Sequence, residues 1–166
     1  PQLFDFVTHR LDDTQPGDIV ECCPALTPII VEISERISVH GGAALIVDYG
    51  DWRSQGDTLQ AIGDHKMVNL LTAPGMTDLT AHTDFEAIFN SAAPAIASRL
   101  TTQGVFLERL GITQRAQALA QKLTGTALDT HIADHRRLTH PDEMGNLFKV
   151  MGLAATTQEL PPGLEV

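Results

Sequence analysis

The chain has 166 residues, 43% of them hydrophobic, and a formal net charge of -10 at pH 7. That length supports one domain with a real core, and the acidity excludes a nucleic-acid backbone as partner. No window approaches the run of about 18 apolar residues that crosses a membrane, so a membrane partner is not expected.

Residue 1 is proline and no signal-peptide pattern follows, so the chain reads as a processed or excised piece. Leu3, Phe4, Phe6 and Val7 are apolar without a clear period, and Asp12 to Gly17 reads as a turn. Asp18 to Cys22 alternates enough for a short strand. Leu26, Ile29, Ile30, Ile33 and Ile37 fall at helical spacing and predict a helix over 24–39, stopped by Gly41-Gly42. The uninterrupted apolar run from Ala43 to Val47 predicts a central strand buried on both faces, ended by Asp48 and turned by Gly50. Beyond a polar loop, Thr58 to Ile62 predicts a short strand, Gly63-Asp64-His65-Lys66 interrupts it, and Met67 to Leu71 is apolar again. Ala73-Pro74-Gly75 is a turn; Thr83 with Glu86 three residues on resembles a capping box that starts a helix through Ala92, with Phe85, Ile88 and Phe89 on its core face. A strand is expected over 95–100, a short helix capped by Thr102, another capped by Thr113, and a polar helix over 128–138. Residues 147–153 predict a last strand, and the tail from Glu159 has no core pattern and is expected to be loose.

Chemistry has few unambiguous carriers. There is no Gly-x-Gly-x-x-Gly, Walker loop, His-Glu-x-x-His or Gly-x-Ser-x-Gly. Asp48, Tyr49 and Gly50 follow a strand end, where open parallel sheets bind ligands, although Asp48 also suits a simple turn cap. Asp64, His65 and Lys66 place an acid, a proton shuttle and a cation in one turn, or form a polar surface turn. Thr80 and His82 lie between an apolar segment and a helix start, where they could orient a ligand or cap the helix. His131 and His135 have metal-ligand spacing without a third ligand, beside Arg136-Arg137, so no metal is expected. The adjacent Cys22 and Cys23 match no zinc spacing and read as reduced packing thiols of a cytosol-like compartment.

Val20-Glu21-Cys22-Cys23-Pro24, the stretch Gly41 to Gly50, Asp64-His65-Lys66, Ala73-Pro74-Gly75, the stretch Asp78 to Phe85, and Thr102-Gln103-Gly104-x-Phe106-Leu107 occur in this order. Together they resemble the C-terminal half of the MidA-type family of S-adenosylmethionine-dependent methyltransferases, whose mitochondrial members methylate an arginine of a respiratory complex I subunit during assembly. Met144-Gly145-x-Leu147-Phe148-Lys149-Val150 is more similar to the bacterial members, which implies a bacterial cytoplasmic location, with the mitochondrial matrix as the alternative. The resemblance implies an α/β fold: the C-terminal part of a Rossmann-like class I methyltransferase sheet, with 43–48 its fifth strand, 95–100 and 147–153 a terminal antiparallel hairpin, and an inserted helical segment. It makes 18–22 part of an inserted hairpin, 1–156 the C-terminal part of one methyltransferase domain, and 157–166 a loose tail. It implies that S-adenosyl-L-methionine is bound mainly by an N-terminal half absent from this chain, which carries no cofactor-binding residue of its own. A protein substrate is then the partner, and the open sheet pairs with its own N-terminal half or with a second copy. On that basis Asp48, Asp64, His65 and His82 are the expected catalytic residues, and Tyr49, Gly50, Lys66 and Thr80 the expected substrate contacts, all converging on one mouth. The alternative is a non-catalytic protein-binding module.

Overall fold

The computed structural model describes Arg10 and residues 12–165; the apolar positions at 3, 4, 6 and 7 lie outside them. The main sheet is organised around the strand expected near the end of the chain, here β8, Phe148–Ala154. Its Val150, Met151, Leu153 and Ala154 are completely buried. On one side β1, Ala43–Asp51, pairs with it antiparallel from Ala43↔Ala154 to Tyr49↔Phe148. On the other side lie β6, Ile96–Ala97, and β7, Thr101–Thr102, both antiparallel to β8. A short strand, β5, Thr83–Asp84, joins the far edge of β1 in parallel, with Gly50 opposite Thr83. The result is the mixed α/β architecture that the patterning implies.

Helix α1, Leu26–His40, covers one face of this sheet. Ile30 and Ile37 from its apolar stripe meet Phe85 and Ile88 of α2, Phe85–Asn90, and Met151 and Leu153 of β8 in one core cluster. Burying side chains of this size stabilises the fold by about 1.5–3 kcal/mol each. Ile29 does not share this role and is 54% exposed. On the opposite face the chain end folds back. Gln158 accepts the Gly42 N–H at 2.9 Å, the Arg99 N–H donates to the Glu165 carbonyl at 2.8 Å, and Leu164 and Pro161 pack where a Gly152 side chain would stand. The tail expected to be loose is therefore tied down, because its carbonyls and apolar side chains complete the second face of β8.

The central run behaves differently from the expectation of burial on both faces. Ala44 and Ile46 pack on the core, whereas Leu45 and Val47 are 48% and 45% exposed. Along Ala43 to Tyr49, β8 is the only pairing neighbour among the described residues. Two-faced burial needs a layer on each side and a strand on each edge, and the described residues supply one of each.

Smaller differences have local causes. Residues 18–22 are irregular rather than a strand. Helix α2 is capped by Asp84, whose carboxylate accepts the Ala87 N–H at 3.0 Å, one residue later than the capping box predicted. Thr83 and Glu86 are otherwise engaged, as shown below. A separate sheet, order β3-β2-β4, holds β2, Gln60–Gly63, β3, Lys66–Val68, and β4, Asp78–Thr80. Between β7 and β8 lie α3, Gln103–Arg109, α4, Ile112–Ala120, α5, Thr126–Thr139, and a kinked turn, Pro141–Gly145, with Glu143 outside helical geometry. His131 and His135 do share one face of α5, where they fasten it to α4: their Nε2 atoms lie 3.0 Å from the Ala116 carbonyl and 3.1 Å from the Thr113 hydroxyl.

Candidate active site at the carboxyl end of β1

The end of β1 is fixed by a close backbone approach. A Cβ on Gly50 would stand on the Thr83 carbonyl oxygen and 2.8 Å from the Thr83 nitrogen, so only glycine lets β5 lie against β1 here. Asp48 secures the same junction. One of its oxygens accepts the Tyr49 N–H at 2.8 Å and the other the Thr83 hydroxyl at 2.9 Å. Its carboxylate staples the two strands together.

His82, immediately before β5, is held at two points. Its backbone N–H donates to the Thr58 hydroxyl oxygen at 2.9 Å, and its Nδ1 lies 3.2 Å from the Ser54 hydroxyl. The Tyr49 ring stands edge-on to the imidazole with centroids 6.3 Å apart, and Phe148 meets Tyr49 edge-on at 5.6 Å from the other side. Two hollows meet at His82. An open cleft of about 580 Å³ is walled by Gly50, Asp51, Arg53, Ser54 and Gln55 and by Pro141, Asp142 and Glu143 with Asn146, Leu147 and Lys149. A narrower cavity of about 260 Å³ is lined by Glu21, Cys22, Cys23, Leu26, Ala81, Thr83 and Asp84.

The floor of the larger cleft rests on an ionic ladder. The Arg53 guanidinium donates twice to the buried Glu86 carboxylate, at 2.7 and 2.6 Å, and once to Asp13 at 3.3 Å. Arg10, itself buried, donates to Asp13 and to the Ser54 carbonyl. The Glu86 bond raises the Arg53 pKa above its ordinary value. Burial pushes the Asp13 carboxyl up, but the bonds and charges of Arg10 and Arg53 outweigh it and leave the pKa below the usual 3.8. A lowered carboxyl contributes stability above its unfolded pKa and loses it as pH falls through the folded value. Asp13→Asn is therefore expected to melt at lower temperature than the parent at neutral pH. The two melting curves should converge below the ordinary value of 3.8, which a pH series of thermal melts would read.

The expected convergence is only partly present. Asp48, Tyr49, Gly50 and His82 come together, and Thr80 lies two residues from His82 in β4. Asp64 and His65 do not join them. They are the central pair of the tight turn joining β2 to β3, with φ of 50 and 60, and they and Lys66 are exposed. Register sets Gln60 opposite Thr80 at the His82 end, and Asp64 lies four residues further along, about 13 Å at 3.3 Å per residue. The polar run is a hairpin tip because two residues with positive φ are what a two-residue turn requires. Sequence reading missed Ser54, Thr58, Arg53 and Glu86. Isolated polar residues 24 to 33 positions from their partners leave no spacing signal. Glu21 was named within its motif and Glu86 within the capping box, neither in the role the structure gives it.

Residues 1–105 match a family model described as "Putative S-adenosyl-L-methionine-dependent methyltransferase". Among curated proteins, the chain is 38% identical over 142 residues to "Protein arginine methyltransferase NDUFAF7, mitochondrial" of Xenopus laevis, covering 84% of this chain and 32% of that protein. It is 37% identical over 150 residues to the Homo sapiens protein of the same name, covering 89% and 33%. The chain thus spans about a third of the length of these relatives. Two solved COG1565 superfamily proteins from Burkholderia thailandensis share the fold. One has a TM-score of 0.68 at 24% identity over 82% of this chain and 38% of its own. The other, bound to S-adenosyl-homocysteine, has a TM-score of 0.66 at 23% identity over 80% and 36%.

Proposed function

Because the chain belongs to this family of S-adenosyl-L-methionine-dependent methyltransferases, we propose that it forms the acceptor side of a protein arginine methyltransferase, with the methyl donor held by a further portion of the relatives' length. The observation that carries this reading is His82, fixed by protein hydrogen bonds where the two hollows meet. The name borne by the curated relatives supports arginine in a protein as the acceptor. Their mitochondrial designation supports the matrix alternative over the bacterial cytoplasm that the sequence motif suggested. The open edge of β1 and its exposed Leu45 and Val47 support a further layer and strand supplied by that additional length.

The carboxyl end of β1 offers the donor no close backbone approach. The glycine at the strand end that a nucleotide backbone could approach is Gly50, and the Thr83 backbone already fills the space against it. When bound, the donor supplies an electrophilic methyl group on sulfur. On the acceptor side, a guanidinium nitrogen that gains a methyl group must shed a proton. On this reading the His82 imidazole, at the meeting point of the hollows, takes it. Asp51 and Asp142 line the larger cleft and suit a cationic side chain; of the other charged residues there, Glu143 is paired with Arg136, Arg53 with Glu86, and Lys149 donates to the Asn146 carbonyl. Asp48 acts as a staple between strands, and Asp64 and His65, at the distant hairpin tip, take no part.

Titration calorimetry tests the division of labour. The 166-residue chain alone is expected to show no micromolar binding of S-adenosyl-L-methionine, and a protein carrying the relatives' full length is expected to bind it. Micromolar binding by the chain alone would refute the division.

A further inference from the structure

We propose that Ser54, Thr58 and Glu21 are positioning residues for His82, and that the Ser54 oxygen accepts a hydrogen bond from His82 Nδ1–H, leaving the Nε2 lone pair to receive the acceptor's proton. The inference rests on the functional reading above and adds to it the tautomer and the groups that set it.

Glu21 is the anchor. Its carboxylate accepts the backbone N–H groups of Thr58 and Leu59, each at 3.1 Å, and the Thr58 hydroxyl proton. A hydroxyl carries one proton and two lone pairs. With its proton committed to Glu21, the Thr58 oxygen can only accept, and the His82 backbone N–H donates to it at 2.9 Å. This chain of bonds fixes where His82 leaves the backbone. Ser54 then fixes the ring, with its hydroxyl 3.2 Å from Nδ1 and its carbonyl receiving the Arg10 guanidinium. Nε2 has no hydrogen-bond partner among the described residues, so a bond at Nδ1 decides which nitrogen carries the proton. If the ring held its proton on Nε2 instead, that nitrogen could donate but not accept. Glu21, Ser54, Thr58 and His82 come from three loops, Ser54 and Thr58 sharing the one between β1 and β2, and each bond among them satisfies a polar group that the fold leaves at the site.

Long-range ¹H–¹⁵N spectra of the His82 ring test the tautomer in the chain as it stands and need no turnover. The parent is expected to show a protonated Nδ1. Ser54→Ala should move the proton to Nε2, the form free imidazoles of this type favour, and Ser54→Thr should restore the parent pattern. A parent ring protonated at Nε2, or a Ser54→Ala ring identical to the parent, overturns the proposal. In the longer protein, Thr58→Val is expected to lower kcat by about 100-fold, the scale of a 1 Å misplacement, with donor affinity unchanged and with recovery in Thr58→Ser. Equal kcat in Thr58→Val and the parent overturns the positioning role. Failure of the unmutated longer protein to methylate any arginine peptide would overturn the functional reading and would be seen separately from the spectra.

Discussion

Gly50→Ala is expected to destabilise the protein by about 3 kcal/mol or more, as forced overpacking against an unyielding neighbour does. The new methyl group meets the Thr83 backbone, not a side chain that can rotate away. Relief requires β5 to leave β1, which breaks the Gly50↔Thr83 and Asp51↔Asp84 pairing and the Asp48–Thr83 hydrogen bond together. His82 precedes β5 directly, so the imidazole shifts with it. The expected outcome is a lower denaturant midpoint, together with loss of protection of the Asp84 and Glu86 amides in hydrogen exchange. A variant with the parent midpoint would show that β5 is not packed on β1 as described.

Phe85→Ala should cost about 3–5 kcal/mol, the range for emptying an aromatic site in a close-packed core. Phe85, the first residue of α2, is 0% exposed and shares the core with Ile30 of α1, Ile88 of α2 and Met151 of β8. Its neighbours on either side are the helix cap Asp84 and the Arg53 partner Glu86, so the cavity would loosen the cleft floor as well as the core. Chemical denaturation reads the loss. Phe85→Leu, which keeps most of the volume, is expected to recover more than half of it, and equal losses in the two variants would contradict a packing origin.

What the sequence made legible follows from how local each signal is. The helix over α1 and the last strand were readable because their apolar residues repeat with a fixed period over several turns or run unbroken. The same unbroken run in β1 suggested burial on both faces, yet Leu45 and Val47 are half exposed, because periodicity reports what a strand can bury and not which layers are present to bury it. The tail lacked any period, since it docks through single contacts of Gln158, Leu164 and Glu165. At the site, His82 and Asp48 were legible as polar residues next to apolar segments. Asp64 and His65 satisfied the same rule and proved to be a hairpin tip, because strand ends and strand-to-strand turns look alike until pairing is known. Ser54, Thr58 and Glu21 act on His82 only through folding that joins distant loops.

The central claim, that His82 serves the acceptor and not the methyl donor, is tested most directly by single-turnover methyl transfer to an arginine peptide in the longer protein. The account predicts that His82→Ala lowers the transfer rate by about 100-fold or more, the range for losing a general base, while the dissociation constant for S-adenosyl-L-methionine stays at the parent value. An unchanged transfer rate, or a rate loss matched by an equal loss of donor affinity, would contradict it.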